Sequence, residues 1–114
     1  YGRLGLCRTE TWYLLMAQTH SINGERPIIE STKHGVKNKG IQDVYTFANG
    51  YGLSVIPEYT WESSMRQQLP IKGRYECAVF YNGELTYDTP LTNDVIRNQN
   101  DPQVHNLLME VQRL

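Results

Sequence analysis

The residues best suited to chemistry lie in the segment 83–96, which reads GELTYDTPLTNDVI. Tyr87 directly precedes one carboxylate, Asp88, and a second carboxylate, Asp94, follows within the same segment. A phenol and two carboxylates could divide the work of general acid and general base if the fold placed them in one cleft. An enzyme built around Tyr87, Asp88 and Asp94 is therefore one hypothesis that the sequence leaves open.

The same segment also has a structural explanation, which the sequence favours. Asp, Thr and Pro together are typical of strand ends, since the carboxylate of Asp88 can cap nearby N–H groups and Pro90 blocks further pairing. Thr92 could then be the N-cap of a short helical turn that places Asp94 near its positive end. We expect the segment to end the sheet and lead toward the last helix.

Other catalytic or ligand-binding motifs are missing from the sequence. The three histidines fall in different segments, without the spacing of metal ligands, and no Gly-x-Ser-x-Gly elbow occurs. The two cysteines, Cys7 and Cys77, are far apart and outside any Cys-x-x-Cys motif, which favours free thiols in a reducing compartment. We predict no catalytic residue, no metal site and no cofactor, and we regard an enzyme as the weaker class.

A basic run, KHGVKNKGIQ at 33–42, offers a different chemistry. Lys33, Lys37 and Lys39 could contact nucleic acid, which gives a second functional hypothesis. The run lacks the spacing of a phosphate-binding loop and the interleaved aromatic residues that stack on bases. The pattern therefore favours a solvated, flexible loop and disfavours nucleic acid.

Length and composition are typical of one small domain. The chain has 114 residues, 39% of them hydrophobic, and a formal net charge of -1. The longest apolar run, WYLLMA, is far shorter than the roughly 18 residues of a membrane span, so we predict a soluble protein without membrane association. The sequence begins with Tyr1, and MAQTHSING from Met16 is typical of a translation start; we therefore expect 1–15 to be an upstream extension and 16–114 to be the domain.

Two Asn-Gly pairs predict the centre of the fold. Each is flanked by β-prone residues, which is typical of a hairpin with a two-residue type I′ turn. The turn at 49–50 would place Thr46 opposite Leu53 and Phe47 opposite Gly52. The turn at 82–83 would pair 81 with 84 and 80 with 85, with a core face made of Ala78, Phe80, Leu85 and Tyr87. Cys77 would be a small buried hydrophobe.

The C-terminal residues predict an amphipathic helix. Asp101 is a good N-cap and Pro102 suits the first helical position. The helix would bury Val104, Leu107, Leu108 and Val111, which follow helical spacing, and leave His105 in solvent. The connection 58–73 has no clean periodicity and predicts irregular structure, while PIIE at 27–30 is the one further strand candidate. The predicted fold is α+β: an antiparallel sheet of about four strands from the two hairpins, with this helix packed on one face.

Aromatic residues suggest a binding surface on that sheet. Tyrosines are numerous for a small sheet with one covering helix, and tyrosine and tryptophan are enriched at protein interfaces. A partner, or a second copy of the chain in a homodimer, could cover the open face. The candidate binding residues are Tyr51, Tyr75, Tyr81 and Tyr87 together with Asp88 and Asp94.

Several motifs resemble those of a known family. FANGYGLSVI, then YECAVFYNGELTYDTPLTNDVI and a terminal helix, are similar to a family of small uncharacterised proteins of tailed bacteriophages and marine metagenomes. Its pattern is NGYGxSV, YExAV and GxLxYDTP[IL]TxDVI, and the resemblance covers residues 44–114. The sequence departs from it in RNQNDPQV after Ile96, where the family has a Gly-Tyr-Leu-Thr/Ser type of helix entry, and in the connection 58–73, which lacks Gly/Ser/Tyr-rich character.

The resemblance implies an origin and carries no activity. It implies a phage-encoded accessory protein in the cytoplasm of a bacterial host cell, acting by contact with a protein of unknown identity, which could be a host protein. Protein binding is thus the preferred function, nucleic-acid binding through Lys33, Lys37 and Lys39 the alternative, and catalysis at Tyr87, Asp88 and Asp94 the third.

Overall fold

The computed structural model describes residues 21–114, which form an antiparallel sheet with one helix against it. The strands are β1 (Ile28–His34), β2 (Gly40–Thr46), β3 (Tyr51–Glu62), β4 (Gln67–Tyr81), β5 (Glu84–Leu85) and β6 (Ile96–Gln99), and helix α1 spans Asp101–Gln112. The first four strands pair in sequence order, and β5 and β6 both pair with β4. The predicted α+β class is confirmed, but the sheet has six strands rather than four. The expectation about residues 1–15 lies outside the described residues.

The second hairpin has the predicted turn and register. Asn82 and Gly83 have φ of 51° and 81°, as a type I′ turn requires. Tyr81 lies opposite Glu84 and Phe80 lies opposite Leu85. The pairing follows because the backbone twist of a type I′ turn matches that of two strands joined by two residues.

The first hairpin differs from the prediction by one residue. Phe47 and Tyr51 close a loop of three residues, with the N–H of Phe47 donating to the Tyr51 carbonyl at 2.9 Å and the N–H of Gly50 donating to the Phe47 carbonyl at 3.0 Å. Of the Asn-Gly pair only Gly50 has a positive φ, 86°. Thr46 therefore lies opposite Gly52, not Leu53. The predicted type I′ turn is wrong here. The hairpin is closed instead by another common connection, a three-residue loop whose last residue has a left-handed conformation.

The side chain of Asn49 accounts for this choice of turn. Its Nδ2 donates to the carbonyls of Val111 at 3.0 Å and Gln112 at 2.9 Å, and its Oδ1 accepts the N–H of Tyr51 at 2.9 Å. The carbonyls in the last turn of a helix have no partners within the helix, so a side-chain donor stabilises them. The helix end, which is distant in sequence, thus helps to select the loop.

The core lies on the sheet face that α1 covers. Leu53 on β3 and Cys77 and Val79 on β4 are fully buried there. The predicted core face of the second hairpin is therefore wrong: Leu85 and Tyr87 are exposed, and Ala78 and Phe80 lie on the opposite side. Alternation alone gives two candidate faces, and the helix buries the one with smaller, β-branched and thiol side chains. The prediction that Cys77 is a small buried hydrophobe is confirmed.

Helix α1 begins one residue earlier than predicted. Asn100 is the N-cap and forms a capping box with Gln103, with bonds of 2.9 Å and 2.8 Å, so Asp101 is the first helical residue and not the cap. His105 is exposed as predicted. The apolar stripe is also buried as predicted, at Val104, Leu107, Leu108 and Val111.

The connection 58–73 is a regular hairpin, contrary to the prediction. Strand β3 continues to Glu62 and β4 begins at Gln67, with a register shift between Pro57 and Tyr59. We call the two-stranded part at 59–70 the ribbon. Most of its residues are exposed or half-buried, so no buried face imposes the apolar alternation by which a strand is recognised in a sequence. The sequence element PIIE is confirmed as the start of the longer strand β1.

A third Asn-Gly turn, which the sequence reasoning overlooked, ties the start of the described chain to the helix end. Asn23 and Gly24 have positive φ, and Ile22 and Glu25 exchange backbone hydrogen bonds of 2.8 Å and 2.9 Å. Gln112 donates to the carbonyl of Ile22 at 2.7 Å and to the carboxylate of Glu25 at 3.0 Å. This end of the sheet is therefore closed by side-chain bonds to α1.

Candidate interaction surface

The face that carries the core is longer than the helix that covers it. Strand β3 has 12 residues, an extended length of about 40 Å, whereas the 12 residues of α1 span only about 18 Å. The helix begins beside Tyr75, and burial followed by hydrogen bonding with Asp101 raises the pKa of the Tyr75 phenol. Beyond that point the same face has no cover from residues 21–114.

A groove of about 310 Å³ occupies the uncovered part of this face. Ile41 from β2 and Ile71 from β4 line it and remain 44% and 36% exposed, although isoleucine is usually buried. Tyr75 closes the groove on the side of the helix. The other apolar lining residues are Val55, Pro57 and Pro70.

Lysines surround the groove. Lys39 and Lys72 line it directly, although they are far apart in sequence. Lys33 lies opposite Ile41 in the β1–β2 pairing, and directly opposed residues of an antiparallel pair share a face, so Lys33 belongs to the same surface. Within the described part of the chain, ion pairs are formed by Arg97 alone, so none of these three lysines is neutralised by one.

One carboxylate, Asp43, lines the groove as well. The hydroxyl of Ser31 donates to it from the neighbouring strand. Burial, followed by the charge of Asp43, raises the pKa of the Tyr45 phenol, which keeps that phenol protonated. The groove thus combines an aliphatic floor, one hydrogen-bonded carboxylate and three lysines.

The ribbon adjoins the groove along β3 and β4 and exposes two further large apolar side chains. Trp61 is 58% exposed. Met65, which lies in the turn of the ribbon, is 51% exposed. Arg66 and Lys72 add positive charge on the same hairpin, and tryptophan, methionine and arginine are enriched at protein interfaces. We call the groove and the ribbon together the ribbon end.

A second cleft, of about 400 Å³, lies near the base of the ribbon. Arg97 approaches Glu76 at 3.1 Å and Glu58 at 3.5 Å, and Glu58 also accepts the N–H of Asn98 at 2.8 Å. These contacts hold β6 against the centre of the sheet. The charged groups therefore satisfy one another, which is typical of a structural ion-pair network.

The predicted binding residues do not form one cluster. The rings of Tyr51 and Tyr81 are in contact at a centroid distance of 4.5 Å, tilted by 43°, near the Asn-Gly turns. Tyr75 is on the same strand as Tyr81 but about 20 Å away along it, in the groove. Tyr87 and Asp88 follow β5 and Asp94 precedes β6, and all three are exposed.

The backbone around Asp88 and Asp94 is held by local hydrogen bonds. The N–H of Asp88 donates to the Thr86 hydroxyl at 3.2 Å, and the carboxylate of Asp88 accepts no hydrogen bond within residues 21–114. Asp94 accepts the N–H of Val95 at 2.7 Å and donates its own N–H to the Thr92 hydroxyl at 3.1 Å. The predicted helical turn is wrong, since these bonds form turns without a helix.

The predicted basic loop is divided between elements. Lys33 lies in β1 just before its last residue, Lys37 lies in the short 3-10 segment Val36–Asn38, and Lys39 precedes β2. Sequence reasoning missed Ile41, Ile71 and Lys72. The signal that could have indicated them is a pair of isoleucines, each next to lysine and glycine, in segments that we had interpreted as loops.

Neither a metal centre nor a membrane-spanning helix is found in the described part of the chain. No group of three or more His, Cys, Asp or Glu residues within residues 21–114 is arranged to hold a metal ion, and no helix in this range is long and apolar enough to cross a membrane. Comparisons of the chain with protein-family models, with curated proteins and with solved structures found no match.

Proposed function

We propose that the protein is a non-enzymatic binding protein that contacts another protein through its ribbon end. The groove beyond α1, which no element of residues 21–114 covers, is the observation that carries this proposal. It continues a packed core face into solvent, and apolar surface of this kind gains free energy when a partner removes it from water. Trp61 and Met65 would extend the contact along the ribbon.

The cellular setting is part of the same proposal. The resemblance of residues 44–114 to small phage proteins supports a phage-encoded accessory protein acting in the cytoplasm of an infected bacterium. Its partner would then be a host or phage protein. This setting determines the lysate in which a partner should be sought.

Nucleic-acid binding is the second candidate. The grouping of Lys33, Lys39 and Lys72 around one groove favours it, because clustered lysines attract phosphates. The aliphatic floor of the groove argues against it, since single-stranded nucleic acid is usually bound by stacking on aromatic rings. Protein binding is therefore the better match.

The test is an affinity capture from bacterial lysate with the wild-type chain, run with and without nuclease. We expect one protein to be retained after nuclease treatment and to be lost with Trp61→Ala. Leu85→Ala is the matched control, because Leu85 is similarly exposed but lies near the Asn-Gly turns at the other end of the sheet. Circular dichroism should show that both variants are folded.

Three other outcomes would replace the proposal. Loss of everything upon nuclease treatment, with binding that falls steeply with salt, would favour nucleic acid. Loss with Tyr81→Ala but not with Trp61→Ala would move the contact to the Tyr51–Tyr81 pair. Retention of the chain itself alone, with a doubled mass in light scattering, would favour a homodimer.

A further inference from the structure

We propose that the groove binds a peptide segment of the partner that carries both apolar and acidic side chains. This inference rests on the proposed function and adds the chemistry of the partner. It is argued from the aliphatic lining of the groove and from the lysines that surround it.

The lining determines the apolar part of the ligand. Ile41, Ile71 and Pro70 offer carbon surface without hydrogen-bond donors, in a space of about 310 Å³, near the lower size limit of small-molecule pockets. That space suits one or two aliphatic side chains better than a whole domain. A short segment is therefore the natural occupant.

The charges determine the polar part of the ligand. Lys39 reaches the groove from the β1–β2 loop and Lys72 from β4, and Lys33 lies opposite Ile41. The negative charges nearby are Asp43, which accepts a hydrogen bond from Ser31, and Asp101, which lies beside Tyr75 at the start of the helix. The lysines outnumber the carboxylates, so the groove attracts acidic residues and repels basic ones.

The test uses synthetic peptides as probes. One series has leucine alternating with glutamate, a second has leucine alternating with lysine, and a third has serine alternating with glutamate. Binding is measured by fluorescence anisotropy at low and at physiological salt. We expect only the leucine–glutamate series to bind, since it alone supplies both the apolar and the acidic groups.

Charge reversal locates the binding site. Lys39→Glu and Lys72→Glu should each weaken binding of the leucine–glutamate peptide about tenfold, which corresponds to about 1.4 kcal/mol. Lys37→Glu is the matched control, because it makes the same charge change in the same loop outside the lining of the groove. Equal effects of all three variants would show a general electrostatic attraction and would overturn the assignment.

Failure of this inference can be separated from failure of the proposed function. If no peptide series binds, or if the serine–glutamate series binds equally well, the apolar acidic ligand is wrong. In that case the cellular partner could still be lost with Trp61→Ala and still be retained with Lys39→Glu and Lys72→Glu. That result would support the proposed function and contradict only the apolar acidic ligand.

Discussion

The ring of Tyr59 lies directly against the backbone of Gly40, so that a methyl group at residue 40 would overlap the tyrosine hydroxyl. The same ring covers Gly35, where an added Cβ would lie 2.6 Å from the hydroxyl oxygen. The hydroxyl also forms a hydrogen bond of 2.8 Å with Nδ1 of His34. The β1–β2 loop and the ribbon are thus attached to each other through one phenol.

Gly40→Ala should therefore displace Tyr59 and destabilise the protein. We expect a loss of about 1–3 kcal/mol in the free energy of unfolding, the cost of overpacking a filled site. Urea denaturation measures it. In a Tyr59→Ala background the same substitution should cost much less, because the colliding ring is gone. An equal cost in both backgrounds would show that the glycine is needed for another reason.

Asn49 should be more important than an ordinary turn residue. Asn49→Asp removes the Nδ2 donor and places a negative charge at the C-terminal end of α1, where the helix dipole is also negative. We expect it to lower the free energy of unfolding by about 1–3 kcal/mol. Asn106→Asp, an exposed position in the same helix, is the control for added charge. Equal effects of the two substitutions would exclude a special role for the Asn49 amide.

Gln67 should limit stability. It is buried at the start of β4, and its Oε1 has no hydrogen-bond partner in the described part of the chain. Gln67→Met keeps the length of the side chain and removes the unsatisfied acceptor, so the free energy of unfolding should rise by about 1–3 kcal/mol. Gln68→Met, at its exposed neighbour, should change it little. A loss of stability with Gln67→Met would mean that the amide has a partner such as a bound water.

The buried thiol of Cys77 predicts a dependence of stability on high pH. Burial, followed by the charges of Glu76 and Glu58, raises its pKa from 9.0 to about 12. Below pH 9 both the folded and the unfolded chain keep the proton. Between pH 9 and 12 the unfolded chain loses it and the folded chain does not, so stability falls by up to about 1.4 kcal/mol per pH unit from this group.

The measurement is urea denaturation at a series of pH values for the wild type and for Cys77→Ala. The substitution lowers stability at every pH because it leaves a cavity, so the slopes are compared rather than the absolute values. The slope above pH 9 should be shallower in Cys77→Ala. Tyr45 contributes a slope of the same sign in both proteins, since its pKa is also raised. Identical slopes would contradict the assignment to Cys77.

The sequence predicted those parts of the fold that depend on local chemistry. The type I′ turn at Asn82-Gly83 needs only two residues that tolerate positive φ, and the stripe of α1 needs only helical spacing. The turn at Asn49-Gly50 was mispredicted because the side chain of Asn49 bonds to the end of α1, which no local pattern reveals. The buried face of the second hairpin was mispredicted for a similar reason, since the position of the helix decides it.

The ribbon end could not be predicted from the sequence because most of its residues are exposed. Strands are recognised by the alternation that a buried face imposes, and no element of the described residues packs on the ribbon as a second layer that would impose it. Lys72 and Ile71 looked like parts of an irregular connection. Their convergence with Lys39 and Ile41 depends on the pairing of β3 with both β2 and β4, which brings separate segments to one surface.

Because α1 covers only one end of the sheet, the long strands β3 and β4 serve two separate purposes along their length. The half beneath the helix carries the packing on which folding depends, whereas the ribbon contributes no residue to the buried hydrophobic core of residues 21–114. Mutation and selection can therefore diversify the ribbon while the helix-covered half stays constant. The same division makes the protein a scaffold on which other hairpins could be grafted in place of the ribbon.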